Sequence, residues 1–500
     1  MGKARELLRK IFGVVFFAVF VLVFVSNLFS VFPLRAQPMI VALIAVLIIA
    51  AGFCATCVFG SVRITKPKVS ETAFLIIVFA FYALVQGFVA YEFETQFTQG
   101  WDFGIVASAA RDFALYDLPA GDYFSKWPNN IPIYIFLCNF FKLCGSFGYY
   151  AFSRAGIILN LILIDIAHFL VYMTAKHIGG KHLGFAALIC SMMNPAMLAY
   201  SGIYYTDTLS LVFPISALLL WICAKENFAK NKDRRAIVQT MSAAALLAVG
   251  TVMKMTVIIL LIAVIIDIFM SFDIKKAAMR AAVSACVFAL LFTGLNYSVM
   301  SSPQLPQADE NLYIPKLHWV MMGLHGNGNY YDPDYQLTLS VPHEQRDELV
   351  KSEISARIKE FGFGGMLSHF AEKASYVWGD GTYSSCFKID RDRVRASSLD
   401  RYMKIDGEAF APYARYSQGV MAATILGMAL CGILVVKDKK YGTLLLAPCA
   451  CVFGVLLFFL VWEARSRYIF NYIPIFTILA VCAYSELFRY LGKKIKTERK

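Results

Sequence analysis

Acidic and basic side chains interrupt the apolar stretches of this sequence at a few positions where they could carry chemistry. Asp102 opens a segment whose apolar residues recur at helical spacing, at Phe103, Val106, Ala110 and Phe113. This pattern predicts a short amphipathic helix on the membrane surface. A carboxylate at its start could take a proton from a hydroxyl group as a general base. It could equally cap the helix, and spacing alone leaves both alternatives open.

Two lysines stand where a phosphate could be bound. Lys126 precedes a Trp-Pro turn, although lysine and tryptophan also favour the membrane interface, and we prefer the interfacial anchor by spacing alone. Lys254 separates two apolar runs. It either extends its ammonium group from a tight turn towards water or donates to a buried anion, and the two alternatives are equal.

Two further polar groups lie at turns between apolar segments. Asp207 ends the sequence Tyr-Tyr-Thr-Asp, where capping of the next helix is the default interpretation. The densest charged cluster comes later and comprises Glu463, Arg465, Arg467 and Tyr468. Arginines on the outer face run against the positive-inside rule, so a phosphate bound through bidentate hydrogen bonds would compensate them. Within the long polar segment 301–410, Tyr330, Asp332 and Asp334 are candidates for binding a sugar acceptor.

Composition places these residues in a membrane protein. Of 500 residues, 59% are hydrophobic and 16% are charged, whereas a soluble domain has about 25% charged residues. The net charge of +13 resides in short basic clusters between apolar runs. That distribution is typical of the positive-inside rule and argues against nucleic-acid binding. No His/Asp cluster has metal-ligand spacing, so we expect no obligatory metal, with a divalent cation left open as a cofactor.

The apolar runs predict an all-α polytopic protein of about twelve transmembrane helices. The predicted spans are 11–32, 38–60, 72–91, 149–175, 183–203, 207–224, 236–253, 256–272, 277–300, 411–436, 442–461 and 468–488. Placing the basic clusters in the cytoplasm puts both termini inside and the residues discussed above on the outer face. Residues 131–147 are also apolar, but a full crossing would reverse this parity. We therefore predict a re-entrant or interfacial segment there, or a compensated short span.

The chain divides into four predicted regions. Residues 1–70 form an N-terminal transmembrane hairpin, and residues 71–300 form a transmembrane core that includes the first outer loop, 92–130. Residues 301–410 form an extracytoplasmic loop domain of mixed charge, and residues 411–500 supply the C-terminal helices. The expected location is the cell membrane, with the active face opposite the cytoplasmic termini.

The order of these motifs resembles the GT-C superfamily of polyprenyl-phosphate-sugar glycosyltransferases. An outer-loop Asp is followed by Lys-x-Pro, then Thr-Asp at a later turn, then Arg-Tyr and Pro474 near the C-terminus. The chain looks similar to the bacterial members of the protein O-mannosyltransferase and lipid A aminoarabinose transferase group. The resemblance covers residues 90–300 and, more thinly, the last 60 residues. The family often has Asp-Glu where this chain has Asp-Phe.

The resemblance implies a function and roles for individual residues. Asp102 would be the catalytic base, Asp207 would face the same cavity, and Lys126, Lys254, Arg465 and Arg467 would hold the donor phosphate. The implied reaction transfers a sugar from a polyprenyl-phosphate donor to an acceptor hydroxyl by a single displacement with inversion. The acceptor, a glycan, lipid or protein, stays unspecified. The alternatives are a lipid or solute transporter or flippase, and a cell-surface polysaccharide polymerase or ligase.

Overall fold

The computed structural model describes residues 2–35, 37–61, 70–94, 100–391 and 393–498. The first three-fifths of the chain contains the helices α1 (Gly2–Leu28), α2 (Pro38–Ser61), α3 (Glu71–Glu92), α4 (Asp102–Tyr116), α5 (Tyr123–Lys126), α6 (Ile131–Ser146), α7 (Phe152–Gly179), α8 (Lys181–Met192), α9 (Pro195–Ala199), α10 (Thr206–Leu209), α11 (Val212–Ala229), α12 (Asp233–Met253), α13 (Ile258–Ser271) and α14 (Ile274–Met300).

The remainder is helical as well. It contains α15 (His318–Gly323), α16 (Asp332–Leu339), α17 (His343–Trp378), α18 (Ser385–Lys388), α19 (Asp400–Met403), α20 (Phe410–Lys437), α21 (Lys439–Leu444), α22 (Leu446–Val461) and α23 (Ile473–Glu498). Short 3₁₀ turns occupy Pro128–Asn130, Met255–Val257, Glu310–Leu312 and Ser466–Tyr472. The prediction of an all-α polytopic protein is confirmed.

Nine helical stretches in the described part of the chain are long and apolar enough to cross a membrane, and three shorter apolar helices accompany them. Together they correspond in order to the predicted spans. One predicted span differs, because residues 183–203 do not form a single helix. Asn194 accepts a hydrogen bond from the amide of Ala196 at 3.0 Å and starts α9 with Pro195 behind it. An Asn cap followed by proline at the first helical position ends one helix and starts another.

Helix α4 has the buried face that its sequence predicts. Phe103, Val106, Ala110 and Phe113 are all buried. They pack in the main hydrophobic core, where α6 is the neighbouring helix. The helix therefore rests largely on protein, whereas the sequence predicted a membrane surface. Because its apolar face is fixed in this way, the position of Asp102 at its first turn is fixed too.

The segment 131–147 forms one continuous helix, α6, of 16 residues. At 1.5 Å per residue it rises about 24 Å, less than the roughly 30 Å of a hydrocarbon core. Tyr134, Leu137 and Phe141 bury its inner face. Because α6 is no shorter than α8 and α22, its length does not separate the alternatives, and the interfacial segment stays a prediction.

Residues 301–410 fold around α17, which is 36 residues long and kinked at Gly362, where φ is +56°. Its buried side contacts α15, α16 and α22. Asp334 of α16 accepts two hydrogen bonds from Arg357 of α17, at 2.6 and 2.7 Å. This segment is therefore a packed structure that covers one end of the helical bundle.

Candidate active site

A chain of ion pairs joins four segments that are far apart in sequence. The guanidinium of Arg467 lies 3.2 Å from Asp102 Oδ2 and 3.3 Å from Asp207 Oδ2. The ammonium of Lys254 lies 2.6 Å from Asp207 Oδ1. Four of the residues singled out from the sequence thus form one connected group.

Asp102 is the first residue of α4, and its carboxylate does not cap the helix. Trp101 occupies the cap position in extended backbone, without a side-chain hydrogen bond to the first turn. The Asp102 carboxylate instead accepts a hydrogen bond from the Tyr123 hydroxyl at 3.0 Å and pairs with Arg467. Its side chain keeps 38% of its surface exposed, so it remains accessible to a substrate. This geometry argues against the capping alternative, and the catalytic alternative stays a prediction.

Asp207 is buried and holds its two basic partners together. The amide of Tyr205, at the start of α10, is satisfied by Thr208 Oγ1 at 3.2 Å. The Asp207 side chain therefore has no capping role there, and 2% of it is exposed. A buried carboxylate is tolerated when it is paired and hydrogen-bonded, as it is here by Lys254 and Arg467.

Lys254 points inwards rather than towards water. It lies in extended backbone between α12 and the turn Met255–Val257. Besides pairing with Asp207, its ammonium donates to the carbonyl of Tyr468 at 3.1 Å. The structure therefore selects the buried-anion alternative, with Asp207 as the anion.

The group around Glu463 flanks this ion-pair chain. Glu463 accepts a hydrogen bond from the Tyr468 hydroxyl at 3.1 Å, and the guanidinium of Arg465 lies 3.8 Å away. Burial raises the pKa of the Glu463 carboxyl, which is 4% exposed. The side chain of Arg465 is 26% exposed, and its contact with Glu463 is longer than that of Tyr468.

Sequence patterns gave no signal for a polar relay behind Asp102. The amide of Asn130 donates to the Tyr123 hydroxyl at 2.7 Å, and the Tyr205 hydroxyl donates to Asn130 Oδ1 at 2.6 Å. Burial, followed by the charges of the neighbouring groups, raises the pKa of Tyr123 well above its usual range. Tyr123 therefore stays protonated and donates its hydrogen to the Asp102 carboxylate, which holds that carboxylate in one orientation.

Lys126 does not join the ion-pair chain. It ends α5 and is half-buried, and within the described residues it forms no ion pair. Its neighbour Trp127 packs against Trp319 and Tyr335, with ring centroids 5.1 and 5.6 Å apart. These contacts dock the first outer loop onto segment 301–410, and both interpretations of Lys126 stay predictions.

The three acceptor-side candidates separate into two groups. The carboxylate of Asp334 is engaged in a buried ion pair with Arg357. Tyr330 donates to Asp332 at 3.1 Å, and both are partly or fully exposed. Burial, the hydrogen bond to Asp332 and, more weakly, the charge of Asp102 raise the pKa of Tyr330. Tyr330 and Asp332 thus remain candidates for contact with an acceptor.

A cavity of about 360 Å³ lies between α4 and residues 118–124. Tyr123 lines it and donates a hydrogen bond to Asp102, whereas Asp102 and its basic partners are not among the lining residues. In the described part of the chain, no group of three or more His, Cys, Asp or Glu side chains is arranged to hold a metal ion.

A bundle of this many long apolar helices defines the chain as a multi-pass integral membrane protein. It belongs to the family described as "conserved hypothetical integral membrane protein", whose model matches residues 1–488. No curated protein matches the chain.

Two solved structures illustrate its similarity to known proteins. One is the archaeal oligosaccharyltransferase AglB from Archaeoglobus fulgidus, in complex with an inhibitory peptide and a dolichol-phosphate. It is 13% identical, with a TM-score of 0.47 over 86% of this chain and 52% of that one, so this chain spans about half the length of AglB. The other is ArnT from Cupriavidus metallidurans bound to undecaprenyl phosphate, 12% identical with a TM-score of 0.35 over 81% and 78% of the chains. Because both TM-scores lie below 0.5, we base the function on this chain's own residues.

Proposed function

We propose that this protein transfers a sugar from a polyprenyl-phosphate-linked donor to an acceptor hydroxyl, by a single displacement with inversion. The observation that carries the proposal is the shared guanidinium of Arg467, which links the accessible Asp102 carboxylate to the buried pair of Asp207 and Lys254. A carboxylate and fixed cations side by side are what this displacement requires, because a proton and a phosphate must be handled within one site.

The chemistry assigns a separate task to each side of the site. The acceptor oxygen attacks the anomeric carbon, a new carbon–oxygen bond forms, and the bond to the phosphate oxygen breaks. The acceptor proton passes to the Asp102 carboxylate, and the polyprenyl phosphate leaves with the bonding electron pair. Basic side chains stabilise the negative charge that develops on the leaving phosphate. No nucleotide is needed, since the lipid phosphate is itself the leaving group.

The sidedness of the reaction is part of the proposal. The basic clusters between the helices favour cytoplasmic termini by the positive-inside rule, which puts Asp102 and its partners on the extracytoplasmic face. Tyr330 and Asp332, which are hydrogen-bonded to each other, would contact the acceptor.

The test is transfer of label from a labelled polyprenyl-phosphate sugar by the purified protein, comparing wild type with Asp102→Asn. General-base catalysis contributes roughly 10²- to 10⁴-fold, so we expect a loss of that order in the variant. Asp117→Asn is the matched control, because Asp117 directly follows α4, is 76% exposed and pairs with Lys142 rather than with the ion-pair chain. Full activity in Asp102→Asn would contradict the proposal. Uptake of donor without turnover in the wild type would favour a transporter instead.

A further inference from the structure

Two of the basic side chains in the site are already neutralised by its own carboxylates. Lys254 is paired with Asp207, and Arg467 is shared between Asp207 and Asp102. Each charge-assisted hydrogen bond made to a carboxylate is one that is not available to a phosphate. The positive charge that binds the phosphate of the donor must therefore come mainly from other residues.

Lys388, at the end of α18, is a buried amine that forms no ion pair with a carboxylate among the residues that the structure describes. It is 5% exposed, and its ammonium lies over the ring of Trp101, 4.3 Å from the centroid. Trp101 directly precedes Asp102, so Lys388 faces the candidate active site. A buried charge without a partner is costly, which makes its position informative about what binds there.

The surroundings of Lys388 favour an anion. Burial lowers its pKa to about 6, the positive charges of Arg467, Arg465 and Arg391 add to this effect, and Asp102 opposes it. Three cations thus act on this ammonium against a single carboxylate. An anion with several oxygens would relieve both the burial and the repulsion.

The segments that carry these cations are fixed to each other. Asp380 Oδ2 accepts hydrogen bonds from the Ser466 hydroxyl and from the Ser384 amide, both at 2.7 Å. Ser384 directly precedes α18, and Ser466 lies between Arg465 and Arg467. The side chains of Ser384 and Ser466 are themselves 2.7 Å apart. Lys388 and Arg465 are therefore presented by two segments held in register by one carboxylate.

A further unsatisfied donor lies at the same place. The Nε of Arg467 is buried and has no hydrogen-bond partner within the described part of the chain. Buried donors are rarely left without an acceptor, so a missing acceptor is an indication of a ligand. Among the residues that the structure describes, Arg465 forms one ion pair, the 3.8 Å contact with Glu463, which leaves further guanidinium donors for a ligand.

We propose that Lys388, together with Arg465, binds the phosphate of the lipid-linked donor, while Lys254 chiefly neutralises Asp207. Both side chains donate to phosphate oxygens, and the Nε of Arg467 adds one more donor from its fixed position. This inference rests on the proposed function, because it names the residues that hold that reaction's leaving group. It moves this role away from Lys126 and Lys254, to which the family resemblance assigned it.

The inference is tested by binding, without any need to know the sugar or the acceptor. Full-length protein in nanodiscs is titrated with farnesyl phosphate, with farnesol and with inorganic phosphate, comparing wild type with Lys388→Met and Lys351→Met. Lys351 is exposed on α17 and serves as the matched control. A hydrogen bond to a charged group is worth enough that its loss lowers affinity by about ten- to a hundredfold. We expect that loss for farnesyl phosphate in Lys388→Met alone, with farnesol binding unchanged.

Stability separates a binding role from a structural one. Because Lys388 forms no ion pair with a carboxylate in the described ranges and lies among arginines, Lys388→Met should keep or raise the Tm. A lowered Tm, an equal loss of farnesol binding, or unchanged binding of farnesyl phosphate would each overturn the assignment, while the proposed function would stand. If wild type binds inorganic phosphate but no farnesyl phosphate, the site takes a free anion and both proposals fail. Absence of all phosphate binding in wild type would also overturn both.

Discussion

The buried carboxylate of Asp207 provides a sharp test of how the site is held together. In Asp207→Asn, Lys254 and Arg467 lose the charge that they share, at contacts of 2.6 and 3.3 Å. Removing one partner of a buried ion pair costs about 3–5 kcal/mol. Arg467 retains Asp102 and Lys254 retains the Tyr468 carbonyl, so we expect a loss near the lower limit, about 3 kcal/mol.

A double-mutant cycle with Lys254→Gln isolates the pair. Lys254→Gln alone leaves Asp207 paired with Arg467, and we expect it to cost about 2 kcal/mol. The double variant removes both charges, so it should cost about 3 kcal/mol rather than the sum, giving a coupling of about 2 kcal/mol. The free energy of unfolding is measured by titration with sodium dodecyl sulphate in mixed micelles.

The exposed pair of Asp117 and Lys142 is the reference for this cycle. Its side chains are 76% and 41% exposed, so Asp117→Asn should change the free energy of unfolding by less than about 0.5 kcal/mol. If Asp207→Asn costs no more than this control, or if the two substitutions at Asp207 and Lys254 are additive, the network does not hold the site together.

Two further outcomes follow from the neighbours of Asp102. Tyr123→Phe removes the hydrogen bond to Asp102, which is worth about 1 kcal/mol. The rate of sugar transfer should therefore fall roughly fivefold, while the Tm changes little. An unchanged rate would refute the role of Tyr123. Affinity for farnesyl methyl phosphate, a diester that does not itself titrate, should rise as the pH falls from 8 towards 6, because the anion binds protonated Lys388, whose pKa is lowered to about 6. At pH values above that pKa, the affinity should rise by roughly tenfold for each unit by which the pH falls. This pH dependence should vanish in Lys388→Met. The charged groups that face Lys388 are Asp102, Arg391, Arg465 and Arg467.

Apolar runs were enough to predict the long apolar helices, and local periodicity was enough to predict one buried face. The buried positions of α4 follow from a 3.6-residue repeat, which is a property of the sequence itself. The same method joined residues 183–203 into one helix because hydropathy does not register the cap at Asn194. An apolar run reports burial, whereas the end of a helix depends on single side chains.

The residues of the site also fall into those that the sequence indicates and those that only the tertiary fold reveals. Asp102, Asp207, Lys254 and Arg467 are visible in the sequence because each charge interrupts an apolar context. Tyr123 and Lys388 carry no such signal, because their importance depends on which segments pack against Asp102 and Trp101. A tyrosine in an outer loop or a lysine in a polar segment is unremarkable until the tertiary fold shows its neighbours.

The single guanidinium that lies between two carboxylates has a consequence for charge balance during turnover. Arg467 touches Asp102 and Asp207 through different nitrogen atoms, so the loss of one contact leaves it anchored by the other. In the proposed transfer, Asp102 becomes neutral as the departing phosphate gains a negative charge. The total charge of the site is then the same before and after the displacement. The guanidinium can redirect one N–H from the neutralised acid to the new anion without leaving its position, so the step is electroneutral within the protein.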